Sequence, residues 1–89
     1  MKVLKFGAIW CPGCLVMRPR WAEIEAELPW LNTIYYDVDQ DEEAVTKWEL
    51  KDTLPVFIWI DADGKEITRL VGEPSKQKIM ELIEKYKDR

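Results

Sequence analysis

Histidine is absent from this sequence of 89 residues. Because imidazole is the general base of Cys-His proteases and Ser-His-Asp hydrolases, its absence excludes both classes of enzyme. It also excludes the zinc sites that depend on histidine ligands. Any catalysis by this chain must therefore use other side chains.

Long apolar runs and an excess of basic residues are absent as well. No stretch approaches the roughly 20 apolar residues that cross a bilayer, so no membrane partner is expected. Asp and Glu outnumber Lys and Arg by 17 to 13, which disfavours binding to nucleic acid phosphates. Residues 1–7 begin a strand pattern rather than a signal peptide, and we therefore expect a cytoplasmic location.

The residues that are present suit one domain. Hydrophobic residues make up 47% of the chain and include five tryptophans, which is enough to build one core. No repeat, linker or low-complexity segment divides the sequence. We therefore expect a single domain over residues 1–89, with a monomer as the default state.

The apolar pattern predicts seven elements in the order β-α-β-α-β-β-α. Strands are predicted over residues 2–7, 33–38, 55–60 and 65–71, and helices over residues 12–28, around residues 44–50 and after Ser75. The first helix joins two strands in a crossover, which implies parallel pairing, and the last two strands form a hairpin. The predicted fold class is α/β, with a mixed four-stranded sheet flanked by helices.

The first predicted helix directly follows the first of the only two cysteines. Pro12 suits the first turn, where its missing N–H has no cost, whereas Pro19 lies in the interior and predicts a kink. The apolar residues at near-helical spacing are Leu15, Val16, Trp21, Ile24 and Leu28. This spacing predicts that a helix begins at the cysteines.

Cys11-Pro12-Gly13-Cys14 places two thiols one helical turn apart. Such a pair can close a disulfide reversibly and exchange two electrons. Backbone N–H groups and the dipole at the helix N-terminus favour a thiolate, so we expect a lowered pKa for Cys11. Cys14 lies one turn further in, where we expect it to be shielded and protonated. Cys11 is therefore the predicted attacking cysteine and Cys14 the resolving one.

Two other interpretations of the cysteines remain open. A purely structural disulfide would close a loop of only four residues and contribute about 2 kcal/mol. A metal site would need ligands from a second chain or from glutathione, because the chain has two cysteines and no histidine. A redox pair is favoured, with no metal and no cofactor other than the disulfide itself.

The segment Trp10-Cys11-Pro12-Gly13-Cys14, with Pro19 five residues later, resembles the thioredoxin family. The resemblance continues through Asp37-Val38-Asp39-Gln40, Leu54-Pro55, Asp63-Gly64 and Val71-Gly72 and so covers nearly the whole chain. It implies a thioredoxin-like fold and a protein-disulfide reductase. Its implied partners are protein disulfides and thioredoxin reductase or a similar electron donor.

The resemblance also implies roles for particular residues. It implies a cis Leu54–Pro55 bond that places the Leu54 backbone beside Cys11, where it pairs with an extended substrate segment. The implied substrate-binding residues are Trp10, Pro12, Gly13, Leu54, Pro55 and Gly72. A trans proline that opens a strand and a Trp10 that only packs in the core are the alternatives.

Three departures from the thioredoxin pattern stand out. The strand and helix that precede residue 2 in full-length thioredoxins are missing, so the chain resembles a minimal version of the fold. Lys5 replaces the buried acid that thioredoxins carry six residues before the first cysteine, which leaves water, Asp37 or Asp39 as substitutes. The order Pro12-Gly13 reverses the usual Gly-Pro and is shared with glutaredoxins, so the reduction potential is not specified.

Two alternative functions remain open. Glutathione-linked exchange of the glutaredoxin type is disfavoured, because Gly13 stands where glutaredoxins have Tyr or Phe. Thr53-Leu54 and Gly72-Glu73-Pro74 likewise replace their Thr-Val and Gly-Gly-Asp segments. The other alternative is a non-catalytic thioredoxin-like interaction module. The physiological substrate, the reducing partner and the direction of electron flow are not specified by the sequence.

Overall fold

A computed structural model describes residues 1–89. The strands are β1 (Lys2–Gly7), β2 (Thr33–Asp37), β3 (Val56–Ile60) and β4 (Glu66–Val71), and the helices are α1 (Pro12–Glu27), α2 (Glu42–Lys47) and α3 (Lys76–Tyr86). The predicted element order is confirmed. None of the three helices has the length and apolarity that a membrane-spanning helix requires.

The four strands form one mixed sheet in the order β2-β1-β3-β4. β1 pairs with β2 in parallel, with Lys5 opposite Tyr35 and Gly7 opposite Asp37. β3 pairs antiparallel with both β1 and β4. The α/β prediction is therefore confirmed, and α1 forms the crossover between the two parallel strands.

Hydrophobic clusters cover both faces of the sheet. Phe57 and Trp59 of β3 pack with α1 and α3 on one face, while Val56, Ile58 and Ile60 pack with α2 on the other. All five β3 residues are buried, as expected for a central strand that is covered on both sides. Each such side chain contributes about 1.5–3 kcal/mol through burial, so β3 anchors the domain.

Only part of the apolar pattern of α1 is buried. Leu15 and Val16 are 52% and 45% exposed, whereas Met17, Trp21 and Ile24 are buried. Residues 17, 21 and 24 recur at intervals of four and three, which places them on the face toward the sheet. Leu15 and Val16 precede this stripe and point away from it. The helix continues past Pro19 to Glu27.

α2 is shorter than predicted. It ends at Lys47, and Trp48 caps it with a backbone N–H bond to Ala44 O. Glu49 then adopts a φ of 51°, a left-handed conformation that cannot continue a right-handed helix. Trp48 and Leu50 therefore lie outside the helix, although both still pack against the apolar cluster on that face.

Ser75 caps α3 as predicted. Its hydroxyl oxygen accepts a hydrogen bond from Lys78 N at 3.1 Å, which satisfies one of the free donors of the first turn. Ile79, Leu82 and Ile83 are buried against the same face of the sheet as α1. The cap thus begins α3 at the position that brings its apolar stripe onto the core.

Candidate redox site

The first turn of α1 positions the two cysteines. Cys11 has extended backbone angles and is the N-cap, and its N–H donates to Ala8 O at 3.2 Å. The Cys11 sulfur accepts a hydrogen bond from Cys14 N at 3.2 Å. Because this N–H belongs to the unsatisfied first turn, it supports negative charge on the Cys11 sulfur. The two thiols are therefore neighbours at the positive end of the helix.

The relative exposure of the two cysteines differs from the prediction. Cys11 is only 4% exposed, whereas Cys14 is partly exposed, so Cys14 is not the more shielded cysteine. Cys14 lines an open cavity of about 230 Å³, which explains its exposure. Both cysteines are free thiols in this structure.

The Cys14 thiol resists ionisation. Burial of its sulfur is the largest cause of a pKa raised from 9.0 to about 11, and a side-chain hydrogen bond with Cys11 and the Cys11 charge contribute in the same direction. A backbone hydrogen bond at Ala8 and the positive charge of Arg18 act in the opposite direction. Cys14 is therefore protonated at neutral pH as long as Cys11 has not formed a mixed disulfide.

The loop before β3 lies against the cysteine turn. The Leu54–Pro55 bond is cis, as the resemblance implied. A Cβ added to Gly13 would lie 3.1 Å from Pro55 Cδ, and Gly72 N donates to Pro55 O at 2.8 Å. Gly13, Pro55 and Gly72 are thus brought together, and a side chain at residue 13 would push the loop away. Leu54 packs toward the α2 side, and its placement beside Cys11 stays a prediction.

Trp10 is a surface residue. It is 61% exposed, so the alternative in which it only packs in the core is wrong. Its indole Nε1 donates to Asp39 Oδ2 at 2.7 Å, and Asp39 N in turn donates to Asp37 Oδ1 at 2.9 Å. Asp39 follows the end of β2 and fixes the indole beside the cysteines. Sequence reasoning placed Asp39 in the family-like segment but did not assign it this role.

Lys5 occupies the position at which thioredoxins carry an acid. Its ammonium pairs with Glu25 Oε2 at 2.7 Å and lies 5.6 Å from the centre of the Trp21 ring. Lys5 lines the same cavity as Cys14. Of the expected substitutes, Asp39 accepts the hydrogen bond of Trp10 Nε1 instead. The sequence reasoning missed Glu25, because nothing local links it to Lys5.

No group of three or more His, Cys, Asp or Glu side chains is arranged so that it could hold a metal ion. The cavity beside Cys14 is instead lined mainly by apolar side chains, together with Lys5, Arg18 and Tyr35. Sequence reasoning did not single out Arg18 or Tyr35. Arg18 follows Cys14 by one helical turn, and that spacing could have identified it.

Comparison with known proteins agrees with this geometry. A thioredoxin family model matches residues 1–85. Thioredoxin H5 of Oryza sativa subsp. japonica is 40% identical over 70 residues, which are 79% of this chain and 50% of the relative. Thioredoxin H-type 1 of Nicotiana tabacum is 32% identical over 84 residues, covering 94% of this chain and 64% of the relative.

A solved structure is similar over most of both chains. Fasciola hepatica thioredoxin superposes with a TM-score of 0.84 at 34% identity, covering 94% of this chain and 78% of that one. The similarity therefore covers nearly all of this chain. The matched region is only half the length of the rice relative. On the family match, the sequence identity and the shared fold together, this chain belongs to the thioredoxin family.

Proposed function

We propose that this chain is a thiol–disulfide oxidoreductase that reduces protein disulfides, with Cys11 attacking and Cys14 resolving. The observation that carries the proposal is the hydrogen bond from Cys14 N to the Cys11 sulfur at the first turn of α1. This geometry favours a nucleophilic sulfur at residue 11 and keeps the second thiol within one turn. Membership in the thioredoxin family supports the same chemistry.

The reaction exchanges two electrons. The Cys11 thiolate attacks one sulfur of the substrate disulfide, which forms a mixed disulfide and releases one substrate thiolate. The Cys14 sulfur then attacks the Cys11 sulfur, which breaks the mixed disulfide and releases the second substrate sulfur. The substrate disulfide is reduced to two thiols, and the Cys11–Cys14 pair is oxidised to a disulfide.

The environment of Cys14 orders these two steps. In the free dithiol, the hydrogen bond with Cys11 and the Cys11 charge help to raise the Cys14 pKa. Both contributions disappear when Cys11 enters a mixed disulfide, whereas the charge of Arg18 remains. The Cys14 pKa therefore falls after the first step, and Cys14 becomes nucleophilic when it is needed.

The surface around the cysteines supports a protein substrate. Ile9, Trp10 and Val71 are exposed apolar side chains in the segments that border Cys11 and Gly72. Exposed apolar side chains grouped in this way are typical of a docking surface. In this proposal, an extended substrate segment lies against Trp10, Pro12, Gly13, Leu54, Pro55 and Gly72.

In the cell, the proposed reductase needs an electron donor and a reducing compartment. Thioredoxin reductase or a similar donor returns the disulfide to the dithiol, and no cofactor beyond the cysteine pair takes part. The protein acts as a monomer in the cytoplasm, where the reducing poise maintains free thiols. Membership in the thioredoxin family supports the reductase direction.

A redox titration tests the central claim. We expect the fluorescence of Trp10 to follow a reversible two-electron transition in a thiol redox buffer, and the reduced protein to reduce insulin disulfides. Cys11→Ser should abolish insulin reduction, and Cys14→Ser should accumulate the mixed disulfide. A reversible transition without insulin reduction would favour the interaction module. Turnover only with glutathione and glutathione reductase would indicate glutaredoxin-like exchange.

A further inference from the structure

The space over Gly7 brings Tyr35 close to the resolving cysteine. A Cβ added to Gly7 would lie 3.1 Å from Cys14 Sγ and 3.2 Å from the Tyr35 hydroxyl oxygen. Tyr35 is opposite Lys5 in the parallel ladder, so both side chains lie on the sheet face that α1 covers. The absence of a side chain at Gly7 thus leaves room in which the hydroxyl and the thiol can meet.

The Tyr35 hydroxyl is available as a donor. It forms no hydrogen bond within the chain, and the residue is 52% exposed. Burial of the hydroxyl, followed by the charge of Asp37, raises the pKa of Tyr35 above its ordinary value of 10.0. The hydroxyl therefore keeps its proton at neutral pH and can donate it in a hydrogen bond.

A free positive charge lies beside the same cavity. Arg18 lines the cavity with Cys14 and Tyr35 and forms no ion pair. Lys5 also lines it, but its ammonium is held by Glu25. Arg18 is therefore the unpaired cation that can respond to a charge on Cys14.

We propose that Tyr35, assisted by Arg18, stabilises the Cys14 thiolate during the resolving step by donating a hydrogen bond to its sulfur. This inference rests on the proposed dithiol exchange. Residue 5 is not an acid and cannot accept the Cys14 proton. In this proposal a hydrogen-bond donor and a positive charge stabilise the Cys14 sulfur instead. A hydrogen bond to a charged group is stronger than one between neutral groups, so the thiolate gains more than the thiol.

The step balances without a further reactant. The bond between Cys14 Sγ and Cys11 Sγ forms as the bond between Cys11 Sγ and the substrate sulfur breaks. The proton that Cys14 loses passes to solvent, and the substrate sulfur departs as a thiolate. Tyr35 retains its proton throughout, and its hydrogen bond is released when the Cys14 charge is consumed.

Dithionitrobenzoate separates the two steps in one trace. With the reduced protein in excess, attack by Cys11 releases one coloured thiolate, and closure by Cys14 releases a second one at a rate independent of protein concentration. Tyr35→Phe removes only the hydroxyl and should slow the second phase about tenfold while the first phase is unchanged. Arg18→Gln should also slow the second phase, but by less than Tyr35→Phe does.

Matched controls lie elsewhere in the molecule. Tyr36→Phe removes a hydroxyl from the opposite face, where Tyr36 stacks on Phe6, and should leave both phases unchanged. Lys78→Gln removes one positive charge from an exposed position of α3 and should do the same. An unchanged second phase in Tyr35→Phe, or equal slowing of both phases, would overturn the inference. Loss of the second phase in the unmodified protein would instead overturn the proposed function.

The pH profile of the second phase gives an independent readout. The ionisable groups that face Cys14 are Cys11 at the N-cap of α1, Arg18 of α1, Tyr35 of β2 and Lys5 of β1. Cys11 carries no charge in the mixed disulfide. The pH profile therefore reports the ionisation of Cys14 under the influence of Arg18, Tyr35 and Lys5. Tyr35→Phe should move the rise of the second phase to higher pH. A slower second phase with an unmoved profile would indicate a merely structural effect and would overturn the inference.

Discussion

At the scale of single residues, one carboxylate determines where the exposed indole beside the cysteines lies. Asp39 Oδ2 accepts the hydrogen bond of Trp10 Nε1 at 2.7 Å, and the Asp39 backbone is held in turn by Asp37. Without this bond, an exposed tryptophan would sample several rotamers, and binding of a partner would have to restrict it at an entropic cost. The bond therefore preorganises one side of the proposed substrate surface.

Asp39→Ala should raise KM for insulin reduction several-fold and leave the first phase of the dithionitrobenzoate reaction unchanged. The substitution frees the indole without altering the Cys11 sulfur or its hydrogen bond from Cys14 N. Asp63→Ala, which removes an exposed carboxylate in the β3–β4 turn, is the matched charge control. A KM equal to that of the unmodified protein would show that the position of Trp10 does not contribute to binding.

At the scale of elements, each helix begins at a side chain that accepts a backbone N–H. Cys11, Asp41 and Ser75 accept from the third residue after them, at the N-termini of α1, α2 and α3. Asp41 and Ser75 are ordinary capping residues, whereas α1 uses a sulfur. In the proposed function, this capping sulfur is also the attacking atom, so the hydrogen bond that begins α1 also favours the nucleophile.

Ser75→Ala should lower the free energy of unfolding by about 1 kcal/mol, because Lys78 N loses its acceptor at the start of α3. Urea denaturation followed by tryptophan fluorescence measures this change. Ser75→Asp provides a carboxylate at the same position and should restore most of the stability. Equal stability of Ser75→Ala and the unmodified protein would mean that the buried stripe alone defines the start of the helix.

At the scale of the whole molecule, the Cys14 thiol links folding to pH. Folding raises the Cys14 pKa from 9.0 to about 11, so the folded chain binds this proton more tightly than the unfolded chain does. The contribution is fully present below pH 9.0 and is lost as the pH rises toward about 11. Tyr35 and Lys76 also have raised pKa values, but their ordinary values are 10.0 and 10.5, so their contributions fade at higher pH.

The free energy of unfolding of the reduced protein should therefore begin to fall near pH 9. Serine does not ionise in this range, so Cys14→Ser should delay the fall by about one pH unit. Urea titrations at closely spaced pH values, with reductant present, test both expectations. Identical profiles for the two proteins between pH 9 and pH 10 would show that Cys14 does not carry the dependence.

Local sequence determined the elements and the proximity of the two cysteines. Strands such as Val56–Ile60 follow from continuous apolar residues, and α3 follows from a serine cap with an apolar stripe. Cys11 and Cys14 lie close together because residues three positions apart are neighbours on one turn of a helix. The end of α2 was misjudged, because the left-handed Glu49 is not one of the residues that usually mark such a turn.

Only the tertiary structure decided which distant side chains surround the cysteines. Glu25 reaches Lys5, Asp39 reaches Trp10, and Tyr35 reaches the space over Gly7. The exposure of Cys14 likewise depends on the cavity between α1 and the β1–β2 ladder. The physical reason is that spacing along one element specifies neighbours within a turn or a strand. Contacts between elements depend instead on strand register and helix packing, which arise only when the whole sheet assembles.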